Sequence, residues 1–436
     1  MTRSGEQVEQ QAATATQQDG TGPPPHPASG ARLFRYVRGY PADAWRYVGY
    51  SFGAGLSVGF LQVLLGLYVL SLGYRESFLA TQELVLALCS AGFSVVAGVV
   101  VDRLGTKVSL LLSALLTVLG RFLLVAHPSR FAILGASVVV AAGIAFYWVS
   151  QGPVLAQVSK AEQRAGLFGL NWALLIASGF VGGMLAGQLP RVIGTALGLE
   201  SDSTLVYRYT IWVGVLALAL FSIPLLWMRA GGRESVRKQE GAWYRVGQPR
   251  KVAMLLIPVA SSAAAVGFTI PFLSVFLQGT HRAPVSSIGL TLGLFALVGS
   301  LGGLLGPALS RRYRPVATVS GLLLLSAPVM LSVGYASTFA LSSVALWTRG
   351  LLANSAWPVA LTYLMDSVEP GQRGRASAAM NISFELALAA AALPAGIIME
   401  RVSYRLPYAL AAAVLLLNAS MLIMRQAQAR CRLGHR

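Results

Sequence analysis

Four ionisable residues stand well inside long apolar runs of this chain: Glu83, Arg121, Arg349 and Glu385. A charge at bilayer depth costs several kcal/mol unless it is paired or hydrated, so such residues are candidates for moving protons or holding a substrate. Glu83 and Arg121 lie at equal depth on successive runs, which allows an ion pair between neighbouring helices. Arg349 and Glu385 share a more central depth and allow a second pair. Pairing favours an ionised carboxylate and burial a neutral one. A Glu released from its Arg in one conformation can therefore pick up a proton. Glu385 is the best proton carrier on this reading, with Glu83 and Arg121 as a secondary coupling pair. The plain alternative is that both pairs fix helix packing, and the shallow Glu83 and Arg121 can also snorkel.

The composition says what kind of chain holds these charges. Only 11% of the 436 residues are charged, against 55% hydrophobic. A soluble domain carries roughly 25% charged residues, because its surface must face water. This chain cannot cover such a surface, which excludes a cytoplasmic enzyme, a secreted protein and a nucleic-acid binder. The net charge of +18 then reads as cytoplasmic loops anchored against anionic lipid. Cys89 lies in an apolar run and Cys431 in the final tail, so no disulfide is expected between them. The histidines (His26, His127, His281 and His435) lie in loops or tails, and no His/Cys cluster offers a metal site. The chain is expected to be no enzyme and to need no cofactor.

Twelve apolar stretches follow one another at 47–72, 78–101, 108–126, 131–158, 166–189, 207–228, 252–278, 286–308, 316–336, 339–365, 376–399 and 407–424. Each is long enough to cross a bilayer as a helix, so the expected fold is an all-α integral membrane protein of two six-helix bundles. The domain reading is a disordered cytoplasmic tail (1–31), a basic–aromatic juxtamembrane segment (32–46) and an N-terminal bundle (47–228). A cytoplasmic linker (229–251), a C-terminal bundle (252–424) and a basic cytoplasmic tail (425–436) follow. With the N-terminus inside, only Arg75, Arg130, Arg191, Arg208, Arg282, Arg401 and Arg405 fall in external loops. The other loop and tail cations lie on the side of the termini, which places both termini in the cytoplasm of a plasma (inner) membrane protein.

The two halves repeat. Shifting the sequence by 208 places Gly59 on Gly267, Tyr68 on Phe276, Gly98 on Gly306, Arg103 on Arg311 and Phe131 on Phe339. Duplicated six-helix units suit a transporter, whose site lies at the repeat interface near the midplane. The loop after the second span, GVVVDRLGTK from Gly98 to Lys107, resembles the signature of the major facilitator superfamily, G-x-x-x-D-R-x-G-x-K. The second-half copy, GPALSRRYRP from Gly306, keeps the glycine and Arg311 but has Ser310 for the acid and Tyr313 for the second glycine. Gly98 is expected to permit close helix packing and Gly105 a tight turn. The resemblance implies that Asp102, with Arg103 and Lys107 beside it, meets the N-terminus of span 11 near Gly374 and holds the cytoplasmic gate shut. These residues would control conformational change and not substrate choice.

The same resemblance implies that spans 1, 4, 7 and 10 line a central cavity. Their polar and aromatic residues are Gln62, Tyr147, Trp148, Gln151, Arg349, Asn354 and Trp357. Aromatic walls with few amides suit a moderately apolar organic molecule. SGFVGGMLAG (Ser178 to Gly187) resembles the antiporter signature G-P-x-x-G-G with the Gly-Pro pair replaced; a small-residue packing seam reads the same stretch equally well. No GK[ST] phosphate loop occurs, which argues against direct ATP drive. The expected function is a proton-coupled secondary transporter, working by alternating access as a monomer among membrane lipids, that exports small organic or amphipathic compounds. An uptake permease or facilitator for a polar or anionic solute is the alternative, with Arg349 binding the anion. A non-transporting receptor or chaperone reusing the fold is a third reading.

Overall fold

The computed structural model describes residues 39–229, 249–366 and 373–434, without side-chain detail for 161, 162, 165, 249–255, 304, 307, most of 361–378 and 425–434. The chain divides into two units, Met1–Pro41 and Ala42–Arg436; the architecture below is that of the second. The segment 1–31 and most of the linker 229–251 lie outside the described residues.

Every regular element described is helical. With no water in hydrocarbon, each backbone N–H must bond within its own segment. The twelve spans run over Ala42–Ser71, Glu76–Leu104, Thr106–Ala126, Arg130–Gln157, Ala161–Leu197, Thr204–Ser222, Pro249–His281 in two pieces, Val285–Arg312, Pro315–Tyr335, Phe339–Asp366, Arg373–Arg401 and Leu406–Gly434. Eleven are long and apolar enough to cross a membrane on composition alone. The other is span 10, whose hydropathy is depressed by Arg349 and Asn354. Span 6 ends in a 3-10 turn at Ile223–Trp227. Span 5 is longer than its apolar stretch, and the last helix continues to Gly434 through residues read from sequence as a tail.

Small residues punctuate the helices where the chain must turn. Gly105 separates spans 2 and 3 at φ +90°, the tight turn expected there, and Gly198 closes span 5 at φ +67°. Both are left-handed conformations that a Cβ disfavours. Ser129 caps span 4 by accepting the Ala132 N–H. Span 7 breaks after Gly267 and resumes at Leu273 across the 3-10 turn Ile270–Phe272, where Pro271 has no N–H to give.

Packing repeats between the halves. Span 1 packs on spans 5 and 6, and span 7 on spans 11 and 12; span 4 packs on 2 and 3, and span 10 on 8 and 9. A Cβ at Gly59 would stand 2.2 Å from the Gly179 carbonyl oxygen of span 5. A Cβ at Gly267 would stand 2.2 Å from the Leu388 oxygen of span 11. The two glycines aligned by the sequence repeat thus perform the same close approach in each bundle. Gly98 and Gly306 do not. A Cβ at Gly306 would meet the Ser355 oxygen at 2.0 Å, whereas nothing lies within 4 Å at Gly98. The close packing expected at Gly98 is therefore absent here, although the neighbouring Ala97 is completely buried.

The bundles meet along two seams, span 5 on span 8 and span 2 on span 11. We call the side bearing the 228–249 connection and the end of span 12 the terminal side, and the opposite one the distal side. The 5–8 seam is tight distally. A Cβ at Gly289 would lie 2.4 Å from the Gly183 oxygen and 2.7 Å from Gly187 Cα, and Gly293 lies against Phe180. At the 2–11 seam, a Cβ at Gly396 would meet Ala80 Cβ at 2.5 Å and the Glu76 oxygen at 2.6 Å. Span 1 also touches span 7, where Gly66 faces Val275 and Ser274. Following each stripe toward the terminal side at helical spacing reaches Gly169 on span 5, Gly303 on span 8 and Gly98 on span 2. Among the described residues none of these has an atom within 4 Å of its would-be Cβ. The seams splay, leaving a cleft between the bundles that opens on the terminal side.

Candidate functional site

Polar groups close the distal side. Tyr404, in the loop before span 12, donates a hydrogen bond to the Glu76 carboxylate at the start of span 2. Arg75 reaches Glu400 across the same junction at 3.6 Å. Burial, and the Glu76 carboxylate accepting its proton, push the Tyr404 hydroxyl well above the usual tyrosine range. Glu76 is itself buried, whereas Arg75 stays largely exposed, so the tyrosine bond is the stronger half of this latch.

The intramembrane charges are arranged differently from the pairs the sequence suggested. Glu83 and Arg121 form no ion pair, and neither do Arg349 and Glu385. On span 2, Glu76 and Ala80 meet Gly396 of span 11, and Glu83 and Ala87 continue that stripe at helical spacing. On span 11, Gly396, Ala392, Ala389 and Glu385 form the answering stripe. Glu83 is thereby turned away from span 3 and comes within electrostatic range of Glu385 instead. Arg121 is buried on span 3 with Nε and Nη1 lacking any acceptor, near Tyr50 of span 1. Arg349 is buried on span 10, and its Nε has no acceptor either. Depth along the sequence does not say which way a helix is rotated.

The cavity candidates divide into two walls. On the N-terminal wall, Tyr147 is buried and donates to Ser51 Oγ at 3.2 Å, with Tyr50 edge-on at 5.8 Å. Trp148 is about half exposed and sits against Tyr147 on one side (5.3 Å) and Trp172 of span 5 on the other (6.4 Å). Trp172 stands three residues past Gly169, on the splayed stretch of span 5, so the tryptophan pair borders the cleft. Gln62 and Gln151 are half-buried. On the C-terminal wall Asn354 is exposed, with its amide nitrogen bonded to the Gly350 oxygen at 2.9 Å. Trp357 packs edge-on against Phe384 of span 11 at 5.3 Å. Tyr47, Ser51, Asn171 and Trp172, which border this N-terminal wall, were not singled out from sequence. Their periodicity is that of any buried helix face, so no sequence signal marked them.

The gating-loop candidates lie at the terminal end of span 2 and the start of span 3. Asp102 and Arg103 are exposed at the terminal end of span 2, and Lys107 donates to the Leu226 oxygen at 3.2 Å. The expected partner of Asp102, near Gly374, has side chains outside the described residues. The small-residue run of span 5 is a packing seam on both faces: Gly182 meets the Leu56 oxygen of span 1, and Gly183 meets Gly289 and Gly293 of span 8. An apolar groove lined by Leu115, Phe122, Trp212 and Leu216 lies between spans 3 and 6, on the outside of the N-terminal bundle and away from the cleft. Among the described residues no group of His, Cys, Asp and Glu is placed to hold a metal.

No curated protein matches the chain significantly. Several solved structures share its fold. The nucleoside transporter NupG superposes with a TM-score of 0.69 at 14% identity, over 88% of this chain and 99% of that one. The peptide transporter POT in complex with sulfate gives 0.70 at 14%, over 89% and 95%. A bacterial homologue of the human lysosomal transporter Spinster, in an inward-facing conformation, gives 0.66 at 15%, over 88% and 96%. At these identities the likeness concerns the fold alone. The sequence pattern of one family, however, covers residues 47–348 and 255–430, which together span the membrane body. With its duplicated bundles, its gating-type loop and that match, the chain belongs to the Major Facilitator Superfamily of transporters.

Proposed function

We propose that this chain is a proton-coupled secondary transporter that exports small organic or amphipathic compounds by alternating access, acting as a monomer in the plasma membrane. The observation that carries the reading is the splay of both inter-bundle seams. They are tight at Gly187, Gly289 and Gly396 and open at Gly169, Gly303 and Gly98. With the cation-rich loops in the cytoplasm, this is the inward-open member of a rocking pair, ready to load substrate from the cytoplasm. Glu385 carries the proton. Its approach to Glu83 lies on a seam between the bundles, so their separation changes whenever the bundles rock, which is the geometric requirement for coupling.

The test uses proteoliposomes holding a pH-sensitive dye. Compound pools are screened for substrate-induced proton flux under an imposed gradient, comparing wild type with Glu385→Gln. Flux that the substitution abolishes supports the assignment; flux that survives it moves coupling to Glu83. Solute movement with no proton movement favours the facilitator reading. That second reading has its own support in Arg349, a buried cation that forms no ion pair among the described residues and is therefore suited to an anionic solute.

A further inference from the structure

Behind the tryptophan pair lies a set of polar groups that the helices bury without satisfying. Asn171 is completely buried, and both its amide nitrogen and its amide oxygen lack a partner. The Tyr47 hydroxyl, on span 1, is likewise buried and unpartnered. Both lie beside the Tyr147 hydroxyl, within loose hydrogen-bonding reach of it, while its one well-formed bond goes to Ser51. Most buried polar atoms in proteins have a partner, and an orphan marks a place where water or a ligand belongs. Here donor and acceptor orphans from spans 1 and 5 lie beside a hydroxyl from span 4. The Trp148 and Trp172 rings stand directly beside it, 6.4 Å apart and tilted by 52°. Asn171 and Trp172 are consecutive, so the amide and its aromatic wall move together.

We propose that this cluster is a subsite for a flat, uncharged ring bearing an adjacent hydrogen-bond donor and acceptor, as in an aromatic carboxamide or a heteroaromatic lactam. The ring packs against Trp148 and Trp172 at the cleft, within the centroid range aromatic pairs favour. Its polar edge reaches inward, donating to and accepting from the Asn171 amide and meeting the Tyr147 and Tyr47 hydroxyls. No charged side chain bonds to the cluster, so a charged edge would be desolvated without a counter-ion. The subsite deepens the transport reading, since it lies on the wall of the same cleft.

Equilibrium binding tests it without requiring coupled transport, so a failed proton-flux screen leaves the subsite standing. Titration calorimetry on detergent-purified protein compares benzamide with acetophenone, which lacks the donor, and acetamide, which lacks the ring. Benzamide is expected to bind about tenfold more tightly than either, because a site built to hydrogen-bond rejects the analogue that leaves its groups unpaired. Asn171→Leu should weaken benzamide more than acetophenone, which loses only the bond its carbonyl accepts, and bring the two to similar affinities. Trp172→Leu should weaken both aromatic probes, and serves as the second variant if Asn171→Leu does not fold. Equal binding of benzamide and acetophenone, or benzamide binding untouched by both substitutions, overturns the assignment.

Discussion

Replacing Gly289 by Ala tests whether the distal seam is a moving surface. The added Cβ would sit 2.4 Å from the Gly183 oxygen, 2.7 Å from Gly187 Cα and 2.9 Å from Gly187 N, all of them backbone atoms of span 5. No rotamer change relieves such a contact, so the two bundles must part there or strain. Overpacking of this kind costs about 1–3 kcal/mol. If the seam separates in the other state, that cost falls on the distal-closed state alone. The equilibrium then shifts toward the distal-open state about 5- to 150-fold. The readout is a distance distribution between spin labels at His127 and Ser337, exposed at the distal turns of the two bundles, with Cys89 and Cys431 replaced by serine. Growth of a longer-distance population is expected. The control is Gly182→Ala, whose Cβ would meet the Leu56 oxygen at 2.1 Å inside one bundle. It should lower thermal stability and leave the distances alone. Wild-type distances in Gly289→Ala, combined with a lowered Tm, would refute the reasoning, because the strain would then be borne in every state.

Three further outcomes follow from the same geometry. Gly306→Ala should destabilise the protein by about 1–3 kcal/mol through its clash with the Ser355 oxygen. Gly98→Ala, with nothing near its Cβ in this state, should leave thermal stability unchanged or slightly raised; a comparable loss in both would contradict the packing described. Tyr404→Phe should open the distal side, measured with the same labels, more than Arg75→Ala does, since the first leaves a buried carboxylate unpaired. The Tyr404 hydroxyl is raised above its unfolded value of about 10, so its contribution is complete below that pH and lost only as pH rises through the folded value. Distal closure should therefore hold steady from pH 7 to about 9, and a loss within that window would show that Tyr404 does not hold the latch. Asp102→Asn should enlarge the terminal-open population, because Asp102 is exposed in this state and so has little to lose in it; a shift the other way would sink the gating role.

Much of the fold was legible in the chain because hydrocarbon imposes so few solutions. Apolar runs of spanning length, broken by Gly105, Gly198 and Pro315, can only be helices, and their observed ends move by a few residues at most sites. The repeat was equally readable, since Gly59 and Gly267 must be small for the same reason in each bundle. What hydropathy could not carry was rotation about each helix axis, because lipid and protein interior are alike apolar. That is why Glu83 was paired on paper with Arg121, though its stripe faces span 11 and Glu385. It is also why Asn171 and Trp172 passed as ordinary core, and why Gly98 was expected to pack although its stripe meets nothing here. The sequence by itself determined the number of spans and their pairing into two related bundles, since both follow from length and spacing. Only the tertiary structure decided which charges meet, which polar groups are left wanting a partner and which end of the cleft is open, because these depend on how two bundles that can rock have come to rest against each other.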